Sequence, residues 1–270
     1  MDLHLSGKVA LITGAGQGVG RAIAATLAGE GTRIAVNDIV EERAQAVADE
    51  IRAAGGEAVA AVFDVTNREA VGAGVARVVE ALGPIHILVN NAGVLPERRS
   101  GEVGNPEFVG SDPAHWRKFF DLNAIAVLNT VDAVGALMKA RRYGRIVTIV
   151  SDAGRVGEAR LAAYSGAKAA AIGFTKAVAK ELGKSNVTVN CVSLSAVSHE
   201  APMADFLKLD ATPENNETLA KVLRQYPIGQ GLGRLTRPRD AANAVTFLVS
   251  DRAEYITGQT LSVNGGYAMP

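Results

Sequence analysis

The alternation of short β-branched runs with longer stretches of helical periodicity is the feature that most constrains how this chain can fold. The runs are almost continuously apolar, which is typical of parallel strands that helices cover on both faces. Between them, apolar residues recur every three or four positions, as Val19, Ile23 and Leu27 do. The runs span residues 8–12, 33–37, 58–63, 85–90, 145–150 and 187–192. This pattern predicts an α/β fold with a doubly wound parallel sheet of about seven strands.

The chain of 270 residues contains no linker, like-charge block or internal repeat, so we expect one domain over residues 1–270. Two stretches interrupt the rhythm of strands and helices, at residues 94–112 and 199–233. Long excursions in an α/β domain are usually binding loops or lids, although they can also be surface decoration. We expect the second stretch to form a substrate lid with apolar residues on one face, among them Met203 and Phe206.

The composition excludes several classes of function. The 28 basic and 28 acidic side chains cancel, so the chain has no net field to attract a nucleic acid or an anionic membrane. A single cysteine, Cys191, excludes a disulfide framework, and the four histidines show no metal-ligand spacing, so we expect no metal. No apolar run approaches the roughly 18 residues that span a bilayer. We therefore expect a soluble, cytoplasmic protein that acts on a small molecule.

A cluster of glycines follows the first predicted strand and directly precedes a helical pattern. Glycine lets the backbone turn tightly and approach a pyrophosphate, which the free amides of a helix N-terminus then stabilise. The cluster predicts a Rossmann-like dinucleotide site, although by itself it could be an ordinary turn between a strand and a helix. The predicted contacts are Gly14, Gln17, Gly18, Val19 and Gly20.

Asp38 ends the second predicted strand, 18 residues after Gly20. A carboxylate there accepts hydrogen bonds from the adenosine ribose hydroxyls and repels the 2′-phosphate of NADP. Gln17 stands where a basic residue could have offset that repulsion. The sequence therefore predicts NAD as the cofactor. Asp38 can also cap the helix that begins near Glu41, and both roles can hold together.

Tyr164 and Lys168 lie four residues apart in the helical stretch that follows the fifth predicted strand. On a helix these two side chains share one face, about 6 Å apart. A neighbouring ammonium favours the phenolate form of a tyrosine and makes the phenol a usable acid or base. Such a pair is common on solvated helix surfaces. It becomes specific in combination with the glycine cluster, with Ser151 at the end of the strand and with Asn123 on the preceding helix.

With these residues in place, the sequence resembles the classical short-chain dehydrogenase/reductase family from Gly7 to Tyr267. It is nearest to the 3-oxoacyl reductase and hydroxyacyl-CoA dehydrogenase members. The resemblance implies that Tyr164 is the acid/base and that Lys168 modulates its pKa and binds the nicotinamide ribose. It also implies that Ser151 holds the substrate oxygen and that Asn123 holds a water of the proton relay. The further cofactor contacts that it implies are Asp64, Val65, Asn91, Ala92, Gly93 and Val197.

The sequence departs from the family pattern after the sixth predicted strand. Leu194 and Ser195 replace a Pro-Gly pair, and His199 stands where a threonine usually binds the carboxamide. We therefore expect the nicotinamide to be anchored differently in detail, through Ser198 or through the backbone. His199 could instead meet the substrate.

The loops on the substrate side are unusually charged, because Asp152 replaces a small residue of the family pattern. Arginines in these loops could meet the phosphates of coenzyme A, or they could pair with neighbouring glutamates. The arginines are Arg98, Arg99, Arg155 and Arg160, and the glutamates are Glu97, Glu102 and Glu158. A 3-hydroxyacyl or alicyclic hydroxyacyl thioester is the expected substrate, with steroids, polyols and other secondary alcohols as alternatives.

Two other functions are consistent with the same fold, a nucleotide-sensing binding protein and an oligomeric scaffold without chemistry. The complete set of Asn123, Ser151, Tyr164 and Lys168 favours an enzyme. The predicted helix over residues 162–182 is apolar or small around most of its circumference, so we expect a partner helix to cover part of it. The family resemblance implies four subunits, so we expect a homotetramer, with cover by the chain's own C-terminal segment as the alternative.

Overall fold

The computed structural model describes residues 1–95, 107–200 and 204–270, and a parallel sheet of seven strands forms its centre. The strands are β1 (Val9–Ile12), β2 (Arg33–Asp38), β3 (Ala58–Val62), β4 (Ile87–Asn90), β5 (Gly144–Ser151), β6 (Val187–Leu194) and β7 (Thr260–Val263). Their order in the sheet is β3-β2-β1-β4-β5-β6-β7, and every neighbouring pair is parallel. The predicted doubly wound sheet is confirmed, and each predicted run coincides with a strand.

Helices cover both faces of this sheet. In chain order they are α1 (Gly18–Gly29), α2 (Glu41–Ala53), α3 (Arg68–Leu82), α4 (Pro113–Phe120), α5 (Ala126–Arg141), α6 (Ala153–Val156), α7 (Ala162–Leu182), α8 (Glu217–Leu223), α9 (Pro227–Leu232) and α10 (Pro238–Leu248). One face packs against α1, α2 and α10, and the other packs against α3, α5 and α7. Both faces are therefore dry, which explains why the strand sequences lack polar alternation.

β1 sits at the point where the strand order reverses. Its neighbours are β2 and β4, so successive crossovers leave β1 in opposite directions. Ala10 and Ile12 pack into the core on one face, whereas Val9 and Leu11 pack into the core on the other. Sheets of this kind bind their ligands in the crevice at the carboxyl end of such a strand. The glycine cluster follows β1 at this position.

One helical run among the described residues is long and apolar enough to cross a membrane by length and composition. It spans Pro113–Arg141, 29 residues, with a mean hydropathy of 1.3 over an 18-residue window. Half of the apolar window of this run is buried inside the fold, where Val131 and Val134 pack against the sheet. Because a core helix needs the same composition, the run serves here as part of the core.

The segment predicted as a lid folds around a small core of its own. Leu219, Leu223, Tyr226 and Leu235 are buried together, and Phe206 packs against them. This core is separate from the two cores that line the sheet. Closure over a substrate stays a prediction for this segment, and the predicted Met203 lies outside the described residues.

We expect the amides of α8 and α9 to exchange faster than those of α7 in the protein alone, because a small separate core opens more easily than the main one. Adding NAD together with a substrate should slow this exchange, since a lid closes over both. Hydrogen exchange followed by mass spectrometry measures the two regions in one experiment. Equal and strong protection of both regions without a ligand would identify a rigid subdomain instead.

Candidate active site

The carboxyl ends of the parallel strands bring the predicted site residues to one edge of the sheet. β2 ends at Asp38, β5 ends at Ser151, and Asn91 follows β4 directly. Tyr164 and Lys168 lie in the first turns of α7, which follows β5 along the chain. Residues that are far apart in sequence therefore meet in one crevice, as expected for this type of sheet.

The turn between β1 and α1 can be built only from glycine at several positions. Gly14 and Gly18 have φ angles of +59° and +56°, in the left-handed region that other residues rarely adopt. A Cβ on Gly20 would lie 2.4 Å from the Gly14 carbonyl oxygen and 2.5 Å from Asn91 Nδ2. A Cβ on Gly14 would lie 2.9 Å from the Ala92 Cα. The backbone thus forms a close cradle at the start of α1, as the pyrophosphate prediction requires.

Asn91 fixes the shape of this cradle. Its Nδ2 donates hydrogen bonds to the carbonyl oxygens of Thr13 (3.0 Å) and Gly14 (2.9 Å). The hydroxyl of Thr13 accepts hydrogen bonds from the backbone amides of Asn91 (3.0 Å) and Ala92 (3.1 Å). Thr13 is a positioning residue that the sequence analysis missed, because nothing in a strand–glycine motif distinguishes it from other strand-end residues.

The Asp38 carboxylate accepts hydrogen bonds from two backbone amides, Gly16 at 3.1 Å and Val40 at 3.0 Å. The predicted capping role of Asp38 is not found, because Val40 is the N-cap of α2 and no side chain caps the helix; Asp38 instead binds the backbone amide of that N-cap residue. A Cβ on Gly16 would lie 2.7 Å from the carboxylate and 2.6 Å from the Arg43 Cβ. The sequence analysis missed Arg43, which the first turn of α2 brings beside the glycine cradle. Contact of Asp38 with a ribose stays a prediction.

Asp64 and Val65 form a separate turn at the end of β3. The Asp64 carboxylate accepts hydrogen bonds at 2.8 Å from the backbone amide and from the hydroxyl of Thr66. Val65 is buried, and its carbonyl oxygen accepts a hydrogen bond from Asn129 Nδ2 at 3.1 Å. These bonds fix the turn, while the implied contact with adenine stays a prediction.

The Lys168 ammonium is buried beside Tyr164. Lys168 is only 4% exposed, and its Nζ lies 5.8 Å from the centre of the Tyr164 ring. Nζ also donates a hydrogen bond of 2.8 Å to the Ile149 carbonyl oxygen in β5. Burial lowers the pKa of Lys168 from 10.5 to about 8, because removal from water disfavours the charged form. The phenol thus lies next to a cation that water screens poorly.

The side chains of Asn123 and Lys168 both lie against the backbone of Gly93. Asn123 lies in a π-helical turn, Asp121–Ile125, between α4 and α5, and its Nδ2 donates to the Phe119 carbonyl oxygen at 3.1 Å. A Cβ on Gly93 would lie 2.8 Å from Asn123 Oδ1 and 3.0 Å from Lys168 Nζ. Asn123 Oδ1 is buried and has no hydrogen-bond partner among the described residues. The three predicted residues therefore converge and leave a polar oxygen facing the site.

Ser151 lies at the carboxyl end of β5, where its hydroxyl accepts a hydrogen bond from the Ala153 amide at 3.2 Å. The short helix α6 that follows packs tightly against the helix of Tyr164. A Cβ on Gly154 would lie 2.7 Å from the Lys168 Cβ. Close packing of α6 on α7 thus sets the position of the serine loop relative to the Tyr164 helix.

The departure from the family pattern after β6 has a defined geometry. Val197 is buried and pairs with Thr236 in an isolated bridge, and the Ser198 amide donates to the Thr236 carbonyl oxygen at 2.8 Å. The His199 ring lies beside the glycine cradle, with Nδ1 3.6 Å from the position of a Cβ on Gly18. His199 is therefore placed at the start of α1. The implied cofactor contact of Val197 stays a prediction.

The charged substrate-side loop differs from the expectation at two residues. Asp152 is 1% exposed and accepts hydrogen bonds of 2.6 Å from Ser193 Oγ and Asn264 Nδ2, so it holds strand ends together and does not line an open surface. Arg155 donates to Ser262 Oγ and to the Pro270 carbonyl oxygen, and within the described part of the chain it pairs with no glutamate; its contact with a phosphate stays a prediction. The expected contacts of Glu97, Arg98, Arg99 and Glu102 lie outside the described residues.

We expect Lys168→Met to unfold at a higher temperature than the wild type. Below pH 8 the wild type buries a charged ammonium, and a pKa lowered by burial means that the charge costs folding free energy, on the order of 1 kcal/mol per pKa unit. The folded-state pKa of Lys168 lies below its ordinary value, so wild-type stability rises with pH between about 8 and 10.5, and the advantage of the variant shrinks there.

Thermal or urea unfolding at pH 7 and pH 10 measures this difference. Lys176→Met is the matched control, because Lys176 lies on the same helix and is exposed. A Lys168→Met protein that is less stable than the wild type at pH 7 would contradict the prediction.

Comparison with known proteins identifies the family of the chain. A family model of short chain dehydrogenases matches residues 8–210. The chain is 37% identical over 268 residues to the 3-oxoacyl-(acyl-carrier-protein) reductase FabG of Escherichia coli (strain K12), covering 99% of this chain and 100% of that protein. It is 38% identical over 262 residues to the 2,3-dihydro-2,3-dihydroxybenzoate dehydrogenase of Bacillus subtilis (strain 168), covering 97% of this chain and 96% of that protein.

These matches run through the sheet and through every strand end described above, and they confirm the family resemblance. The chain therefore belongs to the short-chain dehydrogenase family and is an oxidoreductase that acts on a secondary alcohol or a ketone with a nicotinamide cofactor.

Proposed function

We propose that the protein is an NAD-dependent oxidoreductase that interconverts a secondary alcohol and a ketone. The observation that carries this proposal is the buried Lys168 ammonium, 5.8 Å from the Tyr164 ring and beside the Asn123 oxygen, which has no hydrogen-bond partner among the described residues. A protein that only senses nucleotides could use the ammonium to bind the ribose, but it needs no phenol beside it. The cost of burying that charge is understandable if it serves proton transfer.

The glycine cradle fits a dinucleotide. At Gly14 and Gly20 a Cβ would collide with neighbouring backbone or side-chain atoms, so glycine at these positions lets the backbone come close at the start of α1. Gln17 and Val19 belong to the same turn, and Ala92 lies against it. When bound, the cofactor would supply the hydride acceptor or donor. The Asp38 carboxylate beside the cradle supports NAD over NADP, because a 2′-phosphate there would face a negative charge.

The residues of the chain would then handle the proton and the substrate oxygen. Tyr164 would take the hydroxyl proton of the alcohol as the ketone forms, or give it back in the reverse direction. Lys168 would stabilise the resulting phenolate by its charge. Ser151 would hold the substrate oxygen by a hydrogen bond, and Asn123 would place its free oxygen toward a water that carries the proton away.

The relatives support two substrate classes. One is named for reduction of a 3-oxoacyl group on acyl carrier protein, and one for dehydrogenation of 2,3-dihydro-2,3-dihydroxybenzoate. We propose a 3-hydroxyacyl or alicyclic hydroxyacyl substrate for this protein, with a steroid, polyol or other free secondary alcohol as the second candidate. The balanced charge of the chain supports the absence of a nucleic acid partner, and its single cysteine fits a reducing compartment such as the cytoplasm.

We also propose that the enzyme is a homotetramer. In the single chain, α7 exposes a row of small residues, Ala169, Ala170, Gly173 and Ala177. Small side chains let a second helix approach closely. On the neighbouring helical run, Ile125, Leu128 and Leu137 are also exposed, with 43%, 38% and 40% of their surface accessible. An apolar surface of this kind is typical of subunit contacts.

Tyr164→Phe tests the proposed acid/base. The change removes only the hydroxyl, so we expect kcat to fall by at least about 10²-fold while NAD affinity is nearly unchanged. Steady-state rates with a reactive secondary alcohol and equilibrium titration with NADH measure the two quantities. Tyr255→Phe is the control, because Tyr255 is fully exposed. Activity of Tyr164→Phe within a few-fold of wild type would disprove the assignment.

Asp38→Asn tests the choice of cofactor. The amide keeps one of the two acceptor oxygens, which bind the Gly16 and Val40 amides separately, and it loses the charge that repels a 2′-phosphate. We expect the ratio of kcat/KM for NADP to that for NAD to rise at least about tenfold. Asp132→Asn, which changes an exposed carboxylate on α5, should leave the ratio unchanged. The interpretation of Asp38 is wrong if the wild type already uses both cofactors equally well.

A further inference from the structure

The place of the Ser151 hydroxyl depends on the backbone around it. Among the described residues its partner is the Ala153 amide, which donates to it at 3.2 Å. Ser151 is the last residue of β5 and Ala153 is the first residue of α6, so Asp152 alone connects the strand to the helix. Whatever holds Asp152 therefore sets the direction in which the serine loop leaves the sheet.

Asp152 is held by its backbone and by both oxygens of its side chain. Its amide donates to the Leu194 carbonyl oxygen at 2.9 Å, which extends the pairing of β5 with β6 by one residue. One carboxylate oxygen accepts from Ser193 Oγ and the other from Asn264 Nδ2, each at 2.6 Å. Both partners are neutral, and the side chain is 1% exposed. A carboxylate buried in this way depends on such bonds, because nothing else replaces the water that it has lost.

Asn264 is itself fixed by the turn that follows β7. Its Oδ1 accepts a hydrogen bond from the Gly266 amide at 3.0 Å, and its Nδ2 also donates to the Ala268 carbonyl oxygen at 2.8 Å. Gly266 has a φ angle of +85°, in the left-handed region that favours glycine. We call residues 264–268 the β7 turn. Because both ends of its amide are engaged, Asn264 presents its Nδ2 to Asp152 in one orientation.

The β7 turn also packs against the small core of the predicted lid. The Tyr267 ring stacks on the ring of Tyr226, with centroids 5.1 Å apart and planes inclined by 21°, and Tyr226 is one of the buried residues of that core. The Ile228 amide at the start of α9 donates to the Gly265 carbonyl oxygen at 3.1 Å. The β7 turn thus supports the lid core on one side and Asp152 on the other.

We propose that Asp152 is a positioning residue for Ser151, because its carboxylate fixes the end of β5 to the β7 turn. The opposing contact comes from α7, where a Cβ on Gly154 would lie 2.7 Å from the Lys168 Cβ. Held from both sides, the Ser151 hydroxyl keeps one place relative to the Tyr164 phenol. This inference rests on the proposed function, in which both groups meet the same substrate oxygen. A displacement of about 1 Å at such a group can lower a rate about 10²-fold.

An exchange of the two partners tests this contact. Asn264→Asp places a second carboxylate against Asp152, and two carboxylates at hydrogen-bond distance repel each other. When Asp152→Asn is added, the amide at position 152 donates to the carboxylate at position 264, and its oxygen still accepts from Ser193. Both variants lose the bond to the Ala268 carbonyl oxygen, so a difference between them reports the contact between positions 152 and 264 alone.

We expect Asn264→Asp to lower kcat at least about tenfold, measured with the secondary alcohol used for Tyr164→Phe, and to change the affinity for NADH by less than about twofold. The exchanged double variant should recover to within about threefold of the wild-type kcat. Asn186→Asp is the matched control, because Asn186 is exposed just before β6, at the opposite edge of the sheet. If Asn264→Asp does not fold, Asn264→Ala removes the same donor without adding a charge and takes its place.

A second arm separates positioning from a general structural role. If the contact acts through Ser151, then Asn264→Asp should lower kcat by less than about twofold when Ser151 is already replaced in Ser151→Ala. A residue that only supports the fold would lower kcat by the same factor with and without the serine hydroxyl. The proposal is overturned if the two effects multiply, or if the exchanged double variant is no more active than Asn264→Asp.

Hydrogen exchange of α6 gives a result that needs no turnover. We expect its amides to exchange faster in Asn264→Asp and to return to the wild-type rate in the exchanged double variant, because the contact holds the residue that precedes the helix. Exchange that is equal in all three proteins would refute the contact and leave the oxidoreductase assignment intact. A wild type that oxidises no alcohol with either dinucleotide would refute the proposed function, and exchange rates restored by the double variant would then still support the hold of Asp152 on the serine loop.

Discussion

The candidate site depends on keeping one ammonium group dry. Lys168 is nearly inaccessible, and the Ile149 carbonyl oxygen at the end of β5 holds its charge by a hydrogen bond. A charge in such surroundings acts on its neighbours far more strongly than one in water, because the effective dielectric constant is lower. The surrounding backbone has to make room for it. Gly93 and Gly154 both lie so close to the Lys168 side chain that a Cβ on either would collide with it.

The glycines of the site therefore set distances and do not mainly confer flexibility. At Gly14 and Gly20 the missing Cβ lets β1, α1 and the end of β4 approach one another. At Gly93 it lets Asn123 and Lys168 meet. Each contact is short enough that an alanine would push apart groups held by hydrogen bonds, and interiors packed at this density do not yield easily. One residue type thus shapes both the dinucleotide cradle and the proton-transfer group.

The sheet and the Tyr164–Lys168 pair could be predicted from the sequence because they follow local periodicity and fixed spacing. Other features depend on tertiary contacts that spacing does not encode. From the sequence, Asp152 is expected to be a charged residue in a loop. In the structure it is buried and accepts hydrogen bonds from Ser193 in β6 and from Asn264 just after β7. From the sequence, Arg43 is expected to be a surface residue of α2. In the structure the first turn of that helix brings it beside Gly16. The apolar run Pro113–Arg141 resembles a membrane helix because helix composition alone does not reveal what covers it.

The π-helical turn that carries Asn123 has a consequence for how this site can change. In that turn the Ala126 amide donates to the Asp121 carbonyl oxygen, five residues back. Such a turn absorbs one additional residue, so the helices on either side keep the faces that they would have without it. Deletion of one residue there would restore a regular helix with α4 and α5 still facing the same neighbours. The turn that carries Asn123 is thus a local feature of one helical run, and losing it would displace the Asn123 oxygen while the sheet kept its register.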